Sequence, residues 1–112
     1  MTYRQGDIWL MDFGEPIGSE QAGRRPAVVV SDDEMNRGPS GLVIVVPITS
    51  TFRGLVSHIE LDDEGTGLDV VSYAKCEDLK SISDRRLVTH LGSAPIEAMF
   101  HIRQVLTLLL TL

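Results

Sequence analysis

Gly18-Ser19-Glu20-Gln21-Ala22-Gly23-Arg24-Arg25-Pro26 sets two guanidiniums against a proline where a polar loop turns into the apolar run Ala27-Val28-Val29-Val30. A pair of permanent cations fixed at a loop-to-strand junction is a ready place to hold a phosphate. Gly18 and Gly23 let the loop turn, and Pro26 fixes its own φ and pushes Arg25 toward extended geometry. Arg25 is therefore held better than an ordinary loop arginine. The competing reading makes Arg24 and Arg25 solvated loop charges paired with Glu20.

Other reactive side chains are sparse. Cys76 is the only cysteine, which excludes an internal disulfide and a cysteine-built zinc site, and its expected role is that of a semi-buried structural thiol. His58, His90 and His101 show no HxH or HExxH spacing, so no metal site and no cofactor are expected. The net charge of −6 argues against a broad basic surface for nucleic acid. Acids are bunched at Asp32-Asp33-Glu34, Asp62-Asp63-Glu64 and Glu77-Asp78, whereas cations recur in separate loops at Arg24, Arg25, Arg53, Lys80, Arg85 and Arg86. An acidic surface with a confined basic groove suits a short single-stranded segment better than a duplex.

The elements that must position these groups are mostly short strands. At 112 residues and 43% hydrophobic, the chain reads as one domain, 1–112, with a proper core. No apolar run is long enough to cross a bilayer, and the N-terminus lacks the apolar stretch of a signal peptide, so a cytoplasmic location is expected. Asp7 to Phe13 alternates, with Ile8 and Leu10 on one side and Trp9, Met11 and Phe13 on the other. Ala27 to Ser31 and Leu42 to Thr49 read as strands buried on both faces, with a helical turn over 32–38 between them. Ser57 to Leu61, Val70 to Lys75, Asp78 to Ile82 and Leu87 to Leu91 add shorter strands. A closing helix of about eighteen residues follows, with Ser93 as N-cap, Pro95 in the first turn and Glu97 against the dipole. Its apolar arc is wider than one small sheet requires, which points either to a second subunit or to a helix plugging an open barrel. The architecture that fits is a mainly β, strongly curved antiparallel barrel with a C-terminal helix.

With these segments in order, the sequence resembles the MazF/PemK (Kid) toxins of bacterial toxin–antitoxin pairs over nearly its whole length. The resemblance is carried by Gly6-Asp7-Ile8-Trp9 with Asp12-Phe13, Gly18-Ser19-Glu20-Gln21 with Arg25-Pro26-Ala27-Val28-Val29-Val30-Ser31, Asn36-Arg37, Val46-Pro47-Ile48-Thr49-Ser50, and Leu79-Lys80-Ser81-Ile82 followed by Arg86-Leu87. It implies an SH3-like barrel of the CcdB/PemK type, a homodimer, a cognate antitoxin, and metal-independent, sequence-specific cleavage of single-stranded RNA, with messenger RNA first and transfer or ribosomal RNA as alternatives. It matches Arg25 to the catalytic arginine, Thr49 to the catalytic threonine or serine, and Glu20 and Gln21 to the loop beside the site. Lys80 stands where many members carry an RNA-contacting arginine, and Ser83 where an aspartate is frequent.

Such chemistry uses the ribose 2′-hydroxyl as nucleophile and leaves a 2′,3′-cyclic phosphate and a 5′-hydroxyl. Arg25 suits stabilisation of the phosphorane, because a guanidinium is a permanent cation with five donors and no acceptor, and so a poor base. Thr49 offers a hydroxyl from the end of a rigid strand. Glu20 is the best remaining carboxylate for the base, with an ion pair to Arg24 as the equal alternative. For RNA capture the expected residues are Gln21, Arg24, Ser50, Phe52, Arg53 and Lys80. Phe52 either stacks on a base or folds back onto the barrel. The function from another class is a noncatalytic protein binder acting on a topoisomerase, as CcdB-type proteins do.

Overall fold

The two valine-rich runs lie side by side in the middle of one antiparallel sheet. A computed structural model describes residues 2–15, 18, 23–62 and 64–112. In chain order its elements are β1 (Asp7–Asp12), β2 (Arg24–Val29), α1 (Asp33–Arg37), β3 (Leu42–Thr49), β4 (His58–Leu61), β5 (Ser72–Lys75), β6 (Lys80–Ser83), β7 (Leu87–Ser93) and α2 (Ile96–Leu110). Short 3₁₀ turns occupy Glu64–Thr66, Cys76–Asp78 and Asp84–Arg86.

The strands follow the order β4-β5-β3-β2-β1-β7, and β6 also pairs with β3. One edge of β3 is thus shared: Leu42 to Val45 pair with β6, and Ile48 and Thr49 pair with β5. A strand that serves two neighbours on one edge must bend between them, which gives the sheet its curl. Every pairing is antiparallel, and the sheet is not closed: among the described residues β4 and β7 do not pair.

Alternation along β1 and β3 divides the core in two, as the apolar pattern predicts. Ile8, Val28, Val46 and Ile48 face a first cluster, which Ala98, Ile102 and Val105 of α2 cover. Trp9, Met11, Ala27, Val29, Val43 and Val45 face a second cluster, against which Phe13 and Ile82 pack. The helix therefore does plug one mouth of the curved sheet. Leu108, Leu109, Leu110 and Leu112 nevertheless remain exposed at its end.

Several boundaries differ from the sequence reading. Arg24 and Arg25 are the first two residues of β2, paired with Asp12 and Met11, and do not belong to the loop. Val70 and Val71 precede β5, which starts at Ser72. Ser93 does not cap α2: β7 runs through it, the Ala94 N–H donates to the Gly6 carbonyl at 2.8 Å, and Pro95 is the cap of a 15-residue helix. Asn36 of the Asn-Arg pair is a structural residue. It accepts the Ser31 hydroxyl at 2.6 Å and donates to the Ser31 carbonyl at 3.0 Å, tying α1 to the sheet. Among the described residues, no helix is long and apolar enough to cross a membrane.

Candidate active site

The β2–β3 ladder runs from Val29↔Val45 to Ala27↔Pro47 and stops there. Pro26 and Pro47 stand at that end, and neither has an N–H to extend the ladder. The strands part where the cation pair sits. Carried two residues past the end of the ladder, the same register would set Arg25 level with Thr49. Alternation puts both on the face of Ala27 and Pro47, the side of the second cluster.

Two more groups share that face. Lys80 pairs with Val45, two residues from Ile82, which packs on the second cluster. Phe13 packs on that cluster from the end of β1, where its N–H donates to the Gly23 carbonyl at 2.9 Å. The Lys80 ammonium lies over the Phe13 ring, 5.1 Å from its centroid, and 3.5 Å from Asp78 Oδ1. The arrangement is thus a polar rim, Arg25, Thr49 and Lys80, on a hydrophobic floor.

Thr49 is 6% exposed, and its Oγ1 accepts the Thr51 N–H at 3.2 Å. With one lone pair so engaged, the hydroxyl keeps its proton to donate. Arg25 is exposed on the rim and Arg24 beside it is exposed too. Ser50 and Arg53 are exposed on the loop after β3. Phe52 is 71% exposed and leans against Tyr73, ring centroids 5.7 Å apart at 60°. It does not fold into either core cluster, and its ring stands outside with one edge braced. Glu20 and Gln21 lie outside the described residues.

Arg25 also borders a cavity of about 320 Å³ that opens on the side of the first cluster, with Pro26, Ile48, Ser50 and Asp69 among its walls. Asp69, Tyr73 and Phe13 are the neighbours that sequence reasoning missed as site residues. The Gly67-Leu68-Asp69 turn was a signal only for a loop. Ser83, where an aspartate is frequent in the resembled family, accepts the Arg85 N–H at 3.2 Å as the cap of a 3₁₀ turn, a task serine and aspartate both perform.

The remaining titratable groups have other work. Burial, helped by the neighbouring Glu77 charge, pushes the Cys76 thiol up to about 12, which makes it an inert core residue. Burial raises the pKa of Glu77, but hydrogen bonds from His58 and Ser57 outweigh it and hold the carboxyl below its usual range. Among the described residues, no three His, Cys, Asp or Glu side chains are grouped to hold a metal ion.

Residues 4–110 match the family described as the PemK-like, MazF-like toxin of type II toxin–antitoxin systems. The chain is 35% identical over 114 residues to endoribonuclease MazF9 of Mycobacterium tuberculosis, spanning 97% of each. Its fold is similar to the crystal structure of MazF from Deinococcus radiodurans, with a TM-score of 0.86, 29% identity, and coverage of 100% of this chain and 99% of that one. A MazE–MazF crystal structure from the same organism matches at a TM-score of 0.82 and 29% identity, covering 100% of this chain and 98% of that one.

Proposed function

We infer that this chain, which belongs to the family of PemK-like, MazF-like toxins of type II toxin–antitoxin systems, is a sequence-specific endoribonuclease that cuts single-stranded RNA without a metal. The observation that carries this is the shared face of Arg25, Thr49 and Lys80 at the end of the β2–β3 ladder. Its relative in M. tuberculosis is named an endoribonuclease.

The reaction is a transesterification. The 2′-oxygen attacks the adjacent phosphorus, the bond to the 5′-oxygen breaks, one proton leaves the 2′-hydroxyl and one is delivered to the 5′-oxygen. Arg25 bonds the nonbridging oxygens through its fork as negative charge grows on the phosphorane. Thr49 donates a hydrogen bond to a phosphate oxygen, its hydroxyl oriented by the bond from the Thr51 amide, and the proton for the 5′-oxygen comes from water. Glu20 is assigned the acceptor of the 2′-proton. Lys80 holds a neighbouring phosphate, and Phe52 offers a braced ring on which a base can stack. Arg24, Ser50 and Arg53 are assigned to the path of the strand, and Gln21 is assigned an RNA contact on the strength of the family resemblance alone.

The toxin acts as a single domain, 1–112, in the cytoplasm, where it arrests growth by cutting messenger RNA and is neutralised by a cognate antitoxin. MazF of D. radiodurans is crystallised with MazE, which supports the antitoxin as partner. The exposed leucines at the end of α2 support a homodimer.

The test is incubation of the antitoxin-free protein with a long unstructured RNA in excess EDTA, beside Arg25→Ala. Discrete fragments with cyclic-phosphate and 5′-hydroxyl ends from the wild type alone are expected, with the variant slowed at least about a hundredfold. Because Arg25 is exposed, the variant's stability should move by no more than about 0.5 kcal/mol. Intact RNA from the folded wild type, or full activity in the variant, overturns the assignment.

A further inference from the structure

The cavity beside Arg25 lies between the ends of β1, β2 and β3 and the segment that precedes β5. Leu10, Pro26, Ile48 and Leu68 give it apolar walls, broad enough at about 320 Å³ to take a flat ring. Two polar groups on it are unspent: among the described residues, neither the Asp69 carboxylate nor the Ser50 hydroxyl has a hydrogen bond or ion pair. Ser72, by contrast, donates its hydroxyl to the Val70 carbonyl at 3.0 Å.

The loop carrying Asp69 is fixed by backbone contact. Gly67 has φ +71°, and a β-carbon there would collide with the Leu91 carbonyl of β7. A β-carbon on Gly92 would collide likewise with Gly65 and Thr66. Two glycines thus let the 65–67 segment lie flush on β7. Leu68, Asp69 and Val70 follow as part of the cavity's wall.

We propose that this cavity seats the base of a nucleotide next to the cut, and that Asp69 makes it accept an amino-bearing base and refuse uracil. The identity of the ligand rests on the RNA-cutting reading above. A base held by its phosphate at Arg25 has this cavity within one nucleotide's reach, because Arg25 borders it. Apolar walls take the faces of the ring, and the edge meets Asp69. An ionised carboxylate only accepts hydrogen bonds. Adenine, cytosine and guanine each present an amino group. Uracil presents a single N–H between two carbonyl oxygens, which the carboxylate repels. Asparagine at 69 would offer both a donor and an acceptor and would lift the refusal.

The test uses deoxyadenylate, deoxycytidylate and deoxyuridylate tetramers, which lack the 2′-hydroxyl and cannot be cut, with the methyl NMR signals of Leu68 and Val70 as reporters. Saturable shifts are expected for the first two and binding weaker by roughly tenfold for deoxyuridylate, a gap that Asp69→Asn closes. Equal binding of deoxyuridylate by the wild type, or no shift at Leu68 and Val70 with any tetramer, overturns the proposal. Sequencing of fragment ends from a random RNA pool gives the second readout: Asp69→Asn admits uracil at one motif position and leaves the others unchanged. An unchanged motif overturns the proposal too. Cleavage without methyl shifts removes the base pocket and keeps the ribonuclease. Selective shifts in a protein that cuts no RNA keep the pocket and remove the ribonuclease.

Discussion

The Lys80 ammonium sits over the Phe13 ring, 5.1 Å from its centroid, and is shared with Asp78 at 3.5 Å. The charge is thereby held above the second cluster, on the face that carries Arg25 and Thr49. A positioned cation of this kind grips a phosphate without reading sequence. Lys80→Met, in the uncut Arg25→Ala background, should weaken RNA binding by about tenfold and lower the salt slope by about 0.7. Lys80→Arg should keep the slope and bind at least as tightly, since the fork reaches two oxygens. A salt slope identical in Lys80→Met and the parent would remove Lys80 from the RNA path.

Thr49 is expected to divide between structure and chemistry. Its Oγ1 takes the Thr51 N–H, so Thr49→Val loses that bond at a cost of about 1 kcal/mol and, under the proposed mechanism, the hydrogen bond given to the phosphate. Thr49→Ser restores both. Parallel thermal unfolding and cleavage assays separate the two losses: a Thr49→Val protein as destabilised as expected but fully active would leave only the structural role.

The strand pattern was legible because burial on two faces writes itself as valine-rich runs and clean alternation, and Leu42–Thr49 appears with the bounds the sequence indicates. The start of β2 was not, since Arg24 and Arg25 look like loop residues until pairing with Asp12 and Met11 is known. Ser93 failed as a cap for a similar reason: its local signal was outweighed by the β1–β7 ladder, in which it pairs with Asp7. Of the candidate site, Arg25 and Thr49 were expected through resemblance, and the β2–β3 register extended past Ala27↔Pro47 brings the two level. Asp69 was not, because nothing in Gly67-Leu68-Asp69 tells that the turn folds back across β7 beside Arg25. Phe13 was visible as an apolar alternation residue, but its seat under Lys80 depends on β6 joining β3.

Gly67 gives a stability test of that folded-back turn. Gly67→Ala places a β-carbon on the Leu91 carbonyl in a left-handed conformation, so a loss of at least about 2 kcal/mol in chemical denaturation is expected. Gly18→Ala, which meets nothing within 4 Å at φ +61°, carries only the conformational cost of about 1 kcal/mol and serves as the control. Equal effects at the two glycines would show that the turn does not press on β7 in solution.

Glu77 supplies a pH test away from the RNA face. Its Oε2 lies 2.9 Å from His58 Nε2, and its Oε1 accepts the Ser57 hydroxyl at 2.8 Å. Burial raises its pKa, but the bonds from His58 and Ser57 outweigh burial and lower it from 4.5. A carboxyl whose pKa is lower folded than unfolded stabilises the fold above the unfolded value, and that contribution is lost as pH falls through the folded one. Glu77→Gln should therefore cost about 1 kcal/mol at neutral pH, a modest figure because the side chain is 35% exposed. The gap between wild type and variant should narrow as pH falls below 4.5 and close in strong acid. Urea unfolding across that range checks it, and a gap that stays constant with pH would mean that the charge of Glu77 contributes nothing to the fold.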